Sequence, residues 1–221
     1  MTAKTGEQQN IEQQNISEQD ARRLQQCMAA GGVAVFPTDT VYGVCCDPEN
    51  EQAAQRLYAL KGRPASRPAA VMCFALEPAL ELLPEMKHDE RVALSALLPG
   101  PVTLLLANPA QRFAPACRVD PTTLGLRVPR LPARLGALGA ITRPVMQSSA
   151  NISGQPDART LAQVPQSMRD GADLVLDGGE LPGTPSTVID LRDYSAERRW
   201  HVLREGALPR SVVRETLAAL G

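Results

Sequence analysis

The sequence predicts an α/β fold with a mixed sheet and flanking helices, not a purely parallel doubly wound one. Short, continuous apolar runs such as Val33–Phe36 and Val102–Leu106 alternate with longer amphipathic segments, the pattern of buried strands between helices. Several late runs, at 173–176, 186–191 and 199–204, follow one another with only turns between them, which is too little chain for parallel crossovers. The chain has 221 residues, 43% of them hydrophobic, enough for one well-buried core. No internal repeat or long linker divides it.

Residues 1–16 are rich in Gln, Glu and Asn and nearly free of large apolar groups, so they read as a disordered tail ahead of one domain over 17–221. Ser17 and Asp20 form a capping-box variant that opens the first helix, and Gly31-Gly32 stops it. The strand Val33–Phe36 runs into a loop, Pro37–Gly43. Asn50 caps a second helix reaching Lys61, with Ala53, Ala54, Leu57, Tyr58 and Leu60 on its apolar face. Pro64 and Pro68 frame the next loop. A strand follows at Ala70–Phe74, then helical pieces at 77–83 and 88–98. Pro99-Gly100-Pro101 separates these from strand Val102–Leu106, and Leu124–Val128 is a further strand. Pro132 suits the first turn of a helix through Leu138. Pro144–Ser148 is a strand, 157–168 reads as helical, and a final helix covers 209–220.

Charge and composition narrow the functional classes. Lys and Arg number 23 against 24 Asp and Glu, a net charge of −1 that excludes a generally basic nucleic-acid binder but leaves room for a local basic cavity. No apolar run approaches the roughly 18 residues of a membrane span, and the N-terminus lacks the pattern of a secretory signal. The five cysteines form no C-x-x-C pair and sit beside apolar residues, as reduced thiols of a cytoplasmic protein do. His88 and His201 have no ligand spacing, so no metal site is expected.

Two polar motifs carry the chemistry. Lys61-Gly62-Arg63 places two cations after a helix, and Ser149-Ala150-Asn151 places a hydroxyl and an amide at a strand end. Together they could hold an oligophosphate. There is no Walker loop and no G-x-G-x-x-G, so a nucleotide would be held by dispersed side chains. Each motif also has a plainer reading. Lys61 and Arg63 suit a helix C-terminus electrostatically, the Ser149–Asn151 loop could cap a helix, and Pro37-Thr38-Asp39-Thr40 could be a polar turn. Arg127, flanked by Leu126 and Val128, is either solvated, paired with a carboxylate or aimed at an anion. The Ser-rich loop is not a nucleophile elbow, and no histidine is placed to form a triad with it.

In their order, the motifs Phe36-Pro-Thr-Asp-Thr-Val-Tyr-Gly43, Lys61-Gly-Arg-Pro64, Leu98-Pro-Gly-Pro-Val-Thr-Leu104, Leu126-Arg-Val-Pro129, Ser149-Ala-Asn-Ile-Ser-Gly154, Pro185-Ser-Thr-Val188 and Leu203-Arg-Glu-Gly206 resemble the YrdC-like family. Its best-known members are L-threonylcarbamoyladenylate synthases. The resemblance covers residues 18 to 210. It implies an open, twisted mixed sheet around a basic concave cavity, in the single-domain short form of the family. It further implies condensation of L-threonine, bicarbonate and ATP to threonylcarbamoyl-AMP and pyrophosphate, for t6A modification of tRNA at position 37. Mg²⁺ would accompany ATP, and the product would be handed to a tRNA threonylcarbamoyltransferase complex. Carried over by motif, Lys61 and Arg63 are the catalytic cations on the phosphates and carbamate. Thr38, Arg127 and Ser186 hold threonine, while Thr123, Ser149, Asn151 and Arg204 join Lys61 and Arg63 at the nucleotide.

The chain departs from the family pattern at Met72, where many relatives carry histidine, and at Asp157-Ala158-Arg159, in place of a Ser-Pro-Thr that supplies a phosphate contact. The alternative expectation is a non-catalytic or accessory module that handles carbamoyl groups or binds RNA weakly. The 3% aromatic content weighs against base stacking.

Overall fold

A computed structural model describes residues 15–62 and 68–221. Most of the expected tail and the site candidate Arg63 lie outside them. Ile16, read as tail, is instead 6% exposed, and its N–H donates to Arg134 O at 2.9 Å. It occupies the position before the helix cap, where an apolar side chain anchors the chain's entry.

Helix α1 (Glu18–Ala29) opens with the expected capping box: Ser17 N–H donates to Asp20 Oδ2 at 3.1 Å, and Asp20 N–H to Ser17 Oγ at 3.2 Å. Its buried residues, Ala21, Leu24 and Met28, fall on one face. Strand β1 (Val33–Phe36) is followed by β2 (Gly43–Cys46), which starts at the last residue of the expected loop and continues through residues assigned to no element from the sequence. Gly43 is required there, because a Cβ would lie 2.9 Å from the Phe36 ring. Helix α2 (Glu51–Lys61) is capped by Asn50, whose Oδ1 accepts from Ala53 N at 3.0 Å, and ends at Gly62 in the left-handed conformation. Next come β3 (Ala70–Met72), α3 (Leu76–Glu81), α4 (His88–Leu97), β4 (Val102–Ala107), a short α5 (Ala114–Cys117) and β5 (Thr123–Arg127).

Two expected helices form differently. Residues 133–140 wind as a 3₁₀ helix, which brings Leu135 and Leu138, three apart and both fully buried, into line. The segment 157–168 is mostly irregular, because its backbone is committed elsewhere. Ala158 O accepts from Tyr42 N at 2.9 Å, Arg159 O accepts from Leu181 N at 2.8 Å, and Pro165 interrupts the run. Strand β6 (Val145–Ser149) precedes this segment. Beyond it lie α6 (Gln166–Gly171), β7 (Leu174–Val175), β8 (Thr187–Asp190), α7 (Tyr194–Glu197), β9 (His201–Arg204) and α8 (Arg210–Ala218).

The nine strands form one sheet in the order β7-β1-β2-β6-β3-β5-β4-β8-β9, with parallel and antiparallel neighbours mixed as expected. Side chains alternate between its faces. Val71, Leu104, Leu124, Leu126, Met146 and Ile189 are fully buried on one face. The opposite face carries two transverse rows. Gln147, Ala70, Gly125 and Leu105 are register partners across β6, β3, β5 and β4. In the second row, Met72 pairs with Arg127, Thr103 stands one step beyond the Leu104–Leu126 pair, and Val188 pairs with Thr103 and with Arg204. An arginine therefore stands on each side of a threonine and a valine. No helix among the described residues is long and apolar enough to cross a membrane.

The far side of this row is fastened by Thr187, which is fully buried. Its hydroxyl donates to Leu208 O at 2.6 Å and accepts from Gly206 N and Leu208 N, both at 3.0 Å. Gly206 itself must lack a side chain, since a Cβ would lie 2.2 Å from Pro185 O. Thr187→Val keeps the shape but strands two N–H donors, so it should lower stability by about 2 kcal/mol. Thermal unfolding should then shift down by roughly 5 °C, measurable by calorimetry.

Candidate active site

The two-row face floors a cavity of about 330 Å³, within the range of small-molecule sites. Small residues hollow it out. Ala70 and Gly125 sit at its centre, and a Cβ on Gly125 would meet Ala70 and Leu105 only at ordinary contact distance, 3.5–3.6 Å. Polar groups surround this floor.

Arg127 forms one wall. It is 3% exposed, so of its three readings the solvated one is excluded. The guanidinium pairs with Asp39, Nη2 to Oδ1 at 2.8 Å, and the same nitrogen lies 3.2 Å from Thr40 Oγ1. Arg127 also lines the cavity, and its Nε is buried with no acceptor among the described residues. A buried guanidinium N–H without a partner is costly, and the group as a whole presents positive charge to an anion bound in the cavity. Burial pushes the Asp39 carboxyl above the usual carboxylate range, against the pull of Arg127 and the Arg130 N–H. It also draws Arg127 downward, against Asp39 and reinforced by the neighbouring Arg204. The guanidinium remains charged.

Arg204 stands on the opposite side of the row. Its Nη2 donates to Ser186 O at 2.8 Å and lies 3.3 Å from Ser186 Oγ. The Ser186 hydroxyl shares a 2.8 Å hydrogen bond with Thr103 Oγ1, and all three side chains line the cavity. Thr123 lines it too, held by Arg192 Nη1 at 3.2 Å.

Lys61 of the K-x-R motif meets the S-x-N motif, but not as an open cation facing two open polar groups. Lys61 is 1% exposed. Its ammonium donates to Ser149 O, to Asn151 O at 2.9 Å and to Asn151 Oδ1 at 3.1 Å. Ser149 Oγ donates to the same Asn151 Oδ1 at 2.6 Å, and Asn151 Nδ2 to Gln155 O. Lys61 thus clasps the loop after β6 to the end of α2. Of this group, Ser149 lines the cavity while Lys61 and Asn151 stand behind it.

Thr38 also stands behind the wall. Its hydroxyl donates to Val41 O at 2.7 Å and accepts from Thr40 N and Val41 N at 3.2 and 3.3 Å, so it shapes the loop that carries Asp39. Met72 is fully buried beside Arg127 in register, an apolar neighbour. Asp157, Ala158 and Arg159 are not among the residues lining the cavity. Sequence reasoning missed Thr103, Gln147, Ala70 and Gly125 on the floor. Period-two alternation from Arg127 and Ser149 would have found Gly125 and Gln147, whereas Ala70 and Thr103 needed the register between strands.

Among the described residues, no three or more His, Cys, Asp or Glu gather as a metal site. The cysteines are free thiols, and burial pushes those of Cys46 and Cys73 up to about 12, so neither is a reactive thiolate.

Comparison with known proteins agrees with this arrangement. The family model Sua5_yciO_yrdC, described as telomere recombination, matches residues 26–206. A threonylcarbamoyl-AMP synthase of Pseudomonas aeruginosa is 37% identical over 73% of the chain and 86% of its own length. One from Pyrococcus abyssi is 32% identical over 86% of the chain but only 55% of its own length, so the chain spans about half of that relative. The crystal structure of P. abyssi Sua5 complexed with L-threonine superposes with a TM-score of 0.76 at 29% identity, covering 91% of the chain and 58% of Sua5. Escherichia coli YciO superposes at 0.74 with 25% identity, covering 88% of the chain and 93% of YciO. The open mixed sheet, the cavity on its face and these matches together establish that the chain belongs to the Sua5/YciO/YrdC family.

Proposed function

We propose that this chain is a threonylcarbamoyl-AMP synthase, an enzyme of the nucleotidyltransferase class that uses L-threonine, bicarbonate and ATP. The observation that carries this reading is Arg127, a nearly enclosed guanidinium that lines the cavity and whose Nε has no acceptor among the described residues. That group suits the carboxylate of an amino acid. The relatives' names supply the amino acid, and threonine is bound in the P. abyssi Sua5 crystal structure.

In this reading the threonine amine attacks the carbon of bicarbonate, and loss of water leaves a carbamate. A carbamate oxygen then attacks the α-phosphorus of ATP, and the bond to the β-phosphate breaks to release pyrophosphate. The protein's task is to align two anions and offset their charge. Arg127 holds the carboxylate, and Ser186, across the row beside Arg204, offers its hydroxyl to the substrate threonine from the other side. Arg204, Thr123 and Ser149 face the nucleotide, Asn151 and Lys61 hold Ser149 in place, and Arg63 supplies further charge to the phosphates. The cavity-lining residues supply hydroxyls and guanidiniums without a carboxylate among those described. Mg²⁺ would therefore enter with ATP, bound through phosphate oxygens and water. The product would pass to a tRNA threonylcarbamoyltransferase complex in the cytoplasm for t6A formation.

The direct test is pyrophosphate release from MgATP and bicarbonate, with and without L-threonine. Release that requires threonine and is absent with L-valine is expected; threonine-independent release or none rejects the reading. Arg127→Lys keeps a charge opposite Asp39 but loses the fork. It should raise the KM for threonine by about 30-fold and that for ATP by less than about 3-fold, and an equal rise in both would remove Arg127 from the carboxylate. Gly125→Leu should fill the floor, abolishing turnover and threonine binding by calorimetry while leaving thermal unfolding unchanged within roughly 3 °C. Lys61→Met should lower both turnover and the unfolding temperature, because the side chain is buried within its clasp.

A further inference from the structure

Asp39 has no direct part in the reading above. It sits on the loop between β1 and β2 with its side chain 4% exposed, as is that of Arg127. Both carboxylate oxygens are engaged: Oδ1 accepts from Arg127 Nη2 at 2.8 Å, and Oδ2 from the Arg130 backbone N–H at 3.0 Å. The Arg130 guanidinium, meanwhile, turns away to Pro99 O, through Nε at 3.2 Å and Nη2 at 3.0 Å. Thr38 hydrogen-bonds the backbone immediately after Asp39, so the carboxylate is presented from a braced loop. Asp39 is not among the residues lining the cavity, whereas Arg127 is.

We infer that Asp39 is a positioning residue: by holding Nη2 of Arg127 from behind, it fixes the guanidinium so that the part of it that lines the cavity remains available to the substrate's carboxylate. This rests on the synthase reading for the identity of the substrate. The physical reason is preorganisation. An arginine free to rotate would lose rotamer entropy on each binding event, and one without a counter-charge would be costly to keep buried. With Asp39 and Thr40 on one nitrogen, the fork is already ordered and compensated before the ligand arrives. The role is specific to the carboxylate, so it belongs to the amino-acid side of the reaction.

The charged groups facing Asp39 are Arg127 from β5 and Arg130 from the segment after it, with Arg204 acting on Arg127 from β9. Of these groups Asp39 is the carboxyl, and its protonation is what a fall in pH changes. Burial raises its carboxyl, so a fall in pH protonates Asp39 before an ordinary surface aspartate and releases the fork. The affinity for threonine should then weaken on the acid side.

The test compares wild type with Asp39→Asn, which keeps the shape and one acceptor but removes the charge. Threonine binding is measured by calorimetry without ATP, and steady-state pyrophosphate release with threonine and with ATP as the varied substrate. Asp39→Asn should weaken threonine binding and raise its KM by about tenfold, with kcat and the KM for ATP changed less than about twofold. Lowering the pH should weaken threonine binding to wild type and leave the variant flat. The ¹⁵N signal of Arg127 Nε, assigned by its loss in Arg127→Lys, should broaden or shift in Asp39→Asn. Equal effects on both substrates, an unchanged affinity for threonine or an unchanged Nε signal would overturn the inference. If wild type neither binds threonine nor releases pyrophosphate, the synthase reading fails instead, and the Nε signal alone then decides whether Asp39 sets the guanidinium.

Discussion

A charged guanidinium on an interior strand is the constraint around which the site is built. Arg127 occupies the last position of a strand in the middle of a nine-stranded sheet and is almost completely enclosed. Such a charge persists in an interior only when it is paired and hydrogen-bonded. Asp39 and Thr40 meet that requirement, and they reach Arg127 only because the loop after β1 folds back over the sheet. Thr38 braces that loop, and Tyr42 closes it. The Tyr42 hydroxyl bonds Asp177 Oδ1 at 2.8 Å and accepts from Gly178 N at 3.0 Å, while its carbonyl accepts from Ala150 N at 2.7 Å. Shape and charge in this corner are therefore one problem with one solution.

The sheet separates stability from chemistry by alternation. Large aliphatic side chains on one face fill the core, and on the other the small residues Ala70 and Gly125, set among polar and a few apolar neighbours, leave a hollow. The hollow exists because Gly125 and Ala70 are register partners at its centre. On its far side, the close approach of Gly206 to Pro185 and the hydroxyl of Thr187 bring Arg204 against Ser186. The end of β9 and the segment before β8 thus present a cation and a hydroxyl to the same small volume.

Lys61 shows how one residue can serve both structure and charge. Its motif suggested a cation reaching toward phosphate, yet its ammonium is held by backbone and amide oxygens of the Ser149–Asn151 loop. The pairing of the K-x-R and S-x-N motifs is then physical as well as statistical: a buried ammonium needs several oxygens, and this loop supplies them. The positive charge nevertheless remains directly behind Ser149, where an anion bound in the cavity would feel it through a short, poorly screened path.

Local rules settled much of the molecule. The caps at Ser17 and Asn50, the stop at Gly62 and most strand positions follow from side-chain hydrogen bonding, glycine's conformational freedom and apolar periodicity, all of which act over a few residues. They erred where distant chain intervened. Residues 157–168 look helical, but their carbonyls are taken by Tyr42 and Leu181. The segment 133–140 looks α-helical, but burial of Leu135 and Leu138 selects a tighter winding. Strand β2 was hidden because its apolar residues directly follow a polar loop. The sequence by itself determined the fold class, and the motifs in their order named five residues that line the cavity: Thr123, Arg127, Ser149, Ser186 and Arg204. Only the tertiary structure decided which face each group occupies and which ones touch. Register between strands placed Thr103 with Arg127 and Arg204, while packing of a helix end and a loop on the sheet buried Lys61 in its clasp and set Asp39 behind Arg127, because such pairings depend on contacts between residues 80 to 90 apart that no local pattern encodes.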